Sequence, residues 1–130
     1  MGRKRASTEP GITGTYDIST GTAEVVPDEF RDGAYILNVN GVPSSHIVLG
    51  EPEELEFEYM RWIAAAVEHL NTRPAKKLRV THLGGAGCSL PRYFASKLPG
   101  SRHTVVELDA KLGELVRTLF DVPRSPTVKI

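Results

Sequence analysis

Two rhythms of apolar and polar positions divide this chain. Between Tyr16 and Leu49, short apolar runs alternate with turn-forming residues, which is the pattern of strands. Ala23-Glu24-Val25-Val26 reads as a short strand closed by Pro27, and Ala34-Tyr35-Ile36-Leu37-Asn38-Val39 as a stronger one. Asn40-Gly41 follows. Both residues take positive φ at low cost, so the pair predicts a tight hairpin turn with a returning strand at Ser45-His46-Ile47-Val48-Leu49. A small antiparallel sheet is therefore expected in the first third, and Gly50-Glu51-Pro52 breaks it.

From Glu53 the apolar spacing lengthens to three and four residues. Leu55, Tyr59, Met60, Ile63, Ala64, Val67 and Leu70 predict an amphipathic helix that Pro74 ends. Glu51, Glu53, Glu54 and Glu56 crowd its start, where the helix dipole favours negative charge, and predict a solvated first turn. Phe57 and Trp62 are expected in the core. Beyond Pro74 the chain alternates. Leu78 to Leu83 reads as a buried strand running into Gly84-Gly85-Ala86-Gly87. A helix follows over Ser89 to Leu98, with Ser89 as its cap and Pro91 in the first turn, where a missing N–H does no harm. His103 to Glu107 is the next strand. Asp109 can cap a helix carrying Leu112, Leu115, Val116, Leu119 and Phe120, and Thr127 to Ile130 begins a third strand. This order predicts an α/β fold, a small antiparallel sheet followed by the first half of a doubly wound parallel sheet. The expected organisation is a flexible tail over 1–14, a hairpin region over 15–50 and a partial Rossmann-like domain over 51–130.

Composition narrows the function. Of 130 residues, 40% are hydrophobic and 25% charged, as in ordinary globular proteins, and the formal net charge is zero. No overall attraction to nucleic acid or an anionic membrane is expected, and Arg3-Lys4-Arg5 reads as part of a solvated tail. No apolar run approaches the roughly 20 residues of a membrane span, and no secretory leader is evident, so a cytoplasmic protein is expected. Cys88 is the one cysteine, which excludes an internal disulfide. It reads as a packing thiol rather than a reactive one. His46, His69, His82 and His103 share no ligand spacing, so no metal site is expected. His82 reads as a strand residue rather than a base, and Arg92 could pair with Glu107 or Asp109 or face solvent.

The chemistry lies at the strand-to-helix turns. Glycines after a first strand let a ligand approach the backbone, and the following helix offers free N–H groups. Glu107, 20 residues beyond Gly87, ends the second strand, where an acidic side chain accepts hydrogen bonds from ribose hydroxyls. Together they predict a nucleoside cleft at the carboxyl edge of the sheet. An NAD fingerprint needs a small residue where Leu90 stands, so the turn suits an adenosine–sulfonium ligand better.

The run from His82 through Gly84-Gly85-Ala86-Gly87 to Tyr93, followed by Val105-Val106-Glu107-Leu108-Asp109, resembles the nucleoside-binding core of spermidine synthases. These are polyamine aminopropyltransferases with a fold like that of class I S-adenosylmethionine-dependent methyltransferases, and the spermidine-synthase-like proteins of actinobacteria look most similar. Asn40-Gly41-Val42 and Glu56-Phe57-Glu58-Tyr59-Met60 resemble the family's leader-sheet turn and its acidic-aromatic approach to the first long helix. The resemblance implies a co-substrate, decarboxylated S-adenosylmethionine or S-adenosylmethionine, and no metal. It implies that Gly84, Gly85, Gly87, Glu107 and Asp109 hold this donor, while Tyr59 and Ser44 face a polyamine. Ser44 falls near the glutamine that family members direct into the site. Ala86 and Gly87 occupy the stretch where the family carries an acidic residue that meets the donor's amine. The family's adenine-reading acid after the third strand and its catalytic aspartate after the fourth have no counterpart before Ile130. The chain is therefore expected to be catalytically incomplete, with no catalytic residue of its own, and a homodimer could complete it. The competing expectations are a nonenzymatic fragment serving as a dimerisation or interaction module and, more weakly, an NAD-binding module.

Overall fold

The structure, a computed structural model, describes residues 11–130. Most of the expected tail, including Arg3-Lys4-Arg5, lies outside the described residues. Gly14, its last residue, already opens a strand. Four strands form an antiparallel sheet in chain order: β1 (Gly14–Ile18), β2 (Gly21–Pro27), β3 (Ala34–Val39) and β4 (Val42–Val48). The hairpin turn is where the sequence places it, with Asn40 at φ 50° and Gly41 at φ 79°. Sequence reading placed no strand at β1. Only Ile18 of its five residues is buried and Tyr16 is half-buried between polar Thr15 and Asp17, so an edge strand held by backbone pairing to β2 leaves little hydrophobic signal.

Helix α1 (Glu58–Leu70) starts later than its periodicity predicts. The glutamates before it are not in its first turn. Arg31 donates to Glu51 (2.6 Å) and Glu54 (3.1 Å), while Glu53 accepts from Ser96 (3.1 Å) and lies 3.7 Å from Lys97. These side-chain partners hold the segment as a loop. Trp62 is another correction: it is 64% exposed rather than in the core. Phe57 is half-buried, 6.5 Å from the His46 ring.

After a single 3-10 turn at Ala75–Lys77 come β5 (Arg79–Leu83), α2 (Ser89–Lys97), β6 (Arg102–Val106), α3 (Ala110–Leu119) and β7 (Val128–Lys129). The three strands form a parallel sheet in the order β5-β6-β7. Its faces differ. On β6, His103 and Val105 are buried while Arg102, Thr104 and Val106 are exposed, so one face carries the packing. Among the described residues no helix is long and apolar enough to cross a membrane.

One apolar cluster draws on both sheets. Ile18, Val25, Leu37 and Ile47 of the leader strands pack with Val105, Leu112, Val116, Phe120 and Val128. Polar ties fix the docking. Gly87 N–H donates to Ser45 Oγ (2.9 Å), the Ser89 hydroxyl to the His46 carbonyl (3.1 Å), and the Arg92 guanidinium to the Val48 carbonyl (3.3 Å). Ser89 therefore bonds to β4 instead of capping α2, whose first turn has no side-chain cap. Arg92 is buried and pairs with neither Glu107 nor Asp109.

Candidate functional site

A cleft of about 530 Å³ opens at the carboxyl ends of β5 and β6, between them and the start of α1. That volume is within the range of small-molecule sites, and the carboxyl edge is where open α/β sheets bind ligands. Ser44, Tyr59, Gly84, Gly85 and Glu107 line it together, as do Met60, Ile63, His82, Ala86 and Leu90.

Backbone geometry builds the turn. Gly84 has φ 85°, a left-handed conformation that glycine adopts without penalty, and its N–H continues the ladder to the Val106 carbonyl (2.8 Å). Gly85 must be small for a different reason: a Cβ there would sit 2.6 Å from Val105 Cγ1. Ala86 and Cys88 also take positive φ, 43° and 59°. This winding turns successive N–H groups toward Glu107. Its Oε1 accepts from Gly85 N (3.2 Å) and Ala86 N (3.3 Å), and its Oε2 accepts from Asp109 N (3.0 Å). A carboxylate offers about four lone-pair sites, so one, on Oε2, remains for a ligand hydroxyl.

Gly87 and Asp109 stand apart from the cleft lining. A Cβ on Gly87 would lie 2.8 Å from the Ser45 Cβ, so the residue serves close approach of the leader sheet. Asp109 is buried, and its carboxylate accepts from Leu112 N (2.9 Å), Ser19 N (3.1 Å), Thr20 N (2.7 Å) and the Thr20 hydroxyl (2.8 Å). Burial alone would raise its pKa, but the bonds from Leu112, Thr20 and Ser19 outweigh it and hold the carboxyl well below the usual 3.8. It caps α3 as the sequence predicts and also anchors the β1–β2 turn. Ser44 reaches the cleft through a register shift: Leu37 pairs with Ser45 and Asn38 with Pro43, so Ser44 is the extra residue of a bulge. Burial raises the Cys88 thiol to about 12, with smaller effects from neighbouring charges, which fits a packing role.

Over 91% of its length the chain is similar, at 52% identity and a TM-score of 0.84, to a probable spermidine synthase from Corynebacterium glutamicum. The chain is spermidine synthase-like. It spans 43% of that protein's length. No protein-family model matches the sequence, and no curated protein does. The fold agrees with the expected one, an antiparallel leader sheet joined to a Rossmann-like parallel sheet.

In this spermidine synthase-like chain the residue that sequence reasoning undervalued is His82. It lines the cleft, and its Nε2 lies 3.0 Å from His103 Nδ1. The signal was present: strand alternation puts His82 on the face of Val80, which is packed rather than open. Burial first, and the neighbouring His103 second, lower its pKa from 6.5 to about 4. The unfolded chain therefore binds this proton more readily than the folded one. The stability that His82 contributes is complete above about pH 6.5 and is lost progressively as pH falls toward 4. Discounted for its partial exposure, the loss is expected to be about 1–2 kcal/mol. Urea midpoints at pH 7.5 and 4.5 measure it, and His82→Phe should flatten the difference. An equal fall in that variant would assign the effect to other groups.

Proposed function

We propose that the cleft binds an adenosyl nucleoside, and that the chain is the donor-binding part of an aminopropyl-transferring protein. The donor would be decarboxylated S-adenosylmethionine, S-adenosylmethionine or the product-like methylthioadenosine. The observation that carries this reading is Glu107, held at the carboxyl end of β6 by N–H groups of the glycine turn, with one acceptor site open to the cleft. Gly84 and Gly85 would let the ribose approach the backbone, and Tyr59 and Ser44 would line the side of a polyamine acceptor. Where the family carries an acid near the donor's amine stand Ala86, which lines the cleft, and Gly87, closed over by Ser45. Aminopropyl transfer needs a base for the attacking amine. Glu107 is the one carboxylate lining the cleft among the described residues, and three backbone N–H groups already occupy it. His82, its pKa lowered by burial to about 4, accepts a hydrogen bond but is too weak a base to keep the amine's proton. The chain by itself would therefore bind donor without transferring its aminopropyl group.

Calorimetric titration of 5′-methylthioadenosine into the full chain tests the reading. Saturable binding is expected, with Glu107→Gln about tenfold weaker, because one charge-assisted hydrogen bond to the ribose becomes a neutral one. Absence of heat from folded protein would sink it.

A second reading, a nonenzymatic dimerisation module, draws on Leu83 (88% exposed) and Val106 (54%), register partners on the open face of the parallel sheet, and on Leu108 (91%) just beyond β6. Sedimentation of a compact monomer at all accessible concentrations would exclude it.

A further inference from the structure

The two histidines beneath the glycine turn form a hydrogen-bonded row whose direction can be worked out. It starts at Ser101, which is buried. The Ser101 hydroxyl has one proton, and its bonds to carbonyls, Leu98 O at 2.6 Å and Phe94 O at 3.5 Å, require it to be the donor. Ser101 Oγ can then only accept from His103 Nε2, 2.9 Å away, so that nitrogen carries a proton. His103 is buried, its face stacked at 9° on Phe94, and burial lowers its pKa, which keeps the ring neutral. A neutral ring protonated at Nε2 has a bare Nδ1. The partner 3.0 Å from that bare nitrogen is His82 Nε2, which must therefore donate. His82, neutral as well, is left with an unprotonated Nδ1.

That last nitrogen has no hydrogen-bond partner among the described residues. It is also not sealed in: the buried unpartnered side-chain atoms are His46 Nδ1 and Arg92 Nε. Its ring belongs to the wall of the cleft. We propose that Ser101 and His103 act as positioning residues that fix the tautomer of His82, so that His82 Nδ1 presents a hydrogen-bond acceptor to the cleft for an N–H or O–H of the bound molecule. The assignment rests on the nucleoside-and-amine reading of the cleft and adds a selection rule to it. With its one acceptor nitrogen fixed, the site favours a molecule with a donor at this position over an isostere lacking one. A desolvated acceptor left without a partner loses its water without replacement. The direction is fixed at its inner end by a main-chain carbonyl, which cannot donate, so the row cannot reverse while both rings are neutral.

Two measurements test it. In uniformly 15N-labelled full-length protein at pH 7, a nitrogen–nitrogen coupling across the hydrogen bond should join His82 Nε2 to His103 Nδ1. Both rings should show a single Nε2–H tautomer. An Nδ1–H tautomer on His82, or averaging on either ring, overturns the proposal. The second measurement is titration of 5′-methylthioadenosine and, separately, putrescine into wild type, His82→Phe and His82→Gln. At least one of the two molecules should bind His82→Phe about tenfold more weakly, and His82→Gln, which keeps an acceptor oxygen, should recover much of the loss. The molecule affected identifies which donor His82 meets. If both bind His82→Phe as they bind wild type, the acceptor role fails while the nucleoside reading stands. If wild type binds neither molecule, the nucleoside reading and the acceptor role fall together, and the coupling alone decides whether the row is oriented.

Discussion

Replacing Phe94 with alanine is expected to destabilise the fold by about 4 kcal/mol, the usual loss for a fully buried aromatic truncated to a methyl. Phe94 is 1% exposed on α2, stacked on His103 at 6.2 Å and set edge-on to Tyr93 at 5.3 Å. It is the side chain that holds α2 down on the packed face of the parallel sheet, and α2 in turn carries the Ser89 and Arg92 bonds to β4. A cavity there would loosen both contacts. Urea denaturation at unchanged slope reads the loss. Because burial is what lowers the His103 pKa, water admitted by the cavity should let that pKa climb back toward 6.5. Phe94→Leu, which refills most of the space, should cost far less. A Phe94→Ala variant within 1 kcal/mol of wild type would mean that the α2 contact is not closely packed.

Gly85→Val should cost about 3 kcal/mol, the upper part of the range for overpacking. Unlike Gly84, Gly85 does not need its freedom of φ; it needs the absence of a side chain, because Val105 Cγ1 occupies the space at 2.6 Å and Cys88 Sγ lies at 3.4 Å. The clash can be relieved from the other side. Val105→Ala removes the offending methyl groups, so the double variant should be less destabilised than the two single losses added, with a coupling of at least 1 kcal/mol. The same displacement would pull Gly85 N–H away from Glu107 Oε1, so nucleoside affinity should fall in the single variant and recover in part in the double. Strict additivity would show that the strain is absorbed elsewhere in the turn.

How much of this was legible in advance depends on how local each feature is. Asn40-Gly41 announced its hairpin because the positive φ values it needs belong to those two residues. Asp109 announced its cap because the amide it bonds is three residues away. The alternation of strand and helix after Pro74, and Glu107 at a strand end beyond a glycine turn, are likewise consequences of chain-local periodicity and spacing, and the structure brings Gly84, Gly85 and Glu107 into one cleft as those signals imply. Long-range packing decided the rest. Nothing near Gly87 in sequence tells that Ser45, 42 residues earlier, will close over it, or that Asp109 will spend its carboxylate on Ser19 and Thr20. The glutamates before α1 were drawn off its first turn by Arg31 and by α2, partners no helical pattern encodes. His82 and His103, on adjacent strands, became a directed pair only because the parallel register of β5 and β6 brings their rings together over Ser101. The sequence by itself determined β2 to β4 and the strand–helix alternation after Pro74, since backbone preference and apolar period act over a few residues, but not the edge strand β1 or the start of α1. Only the tertiary structure decided which polar groups remain open to a ligand, because that depends on hydrogen bonds contributed from distant parts of the chain.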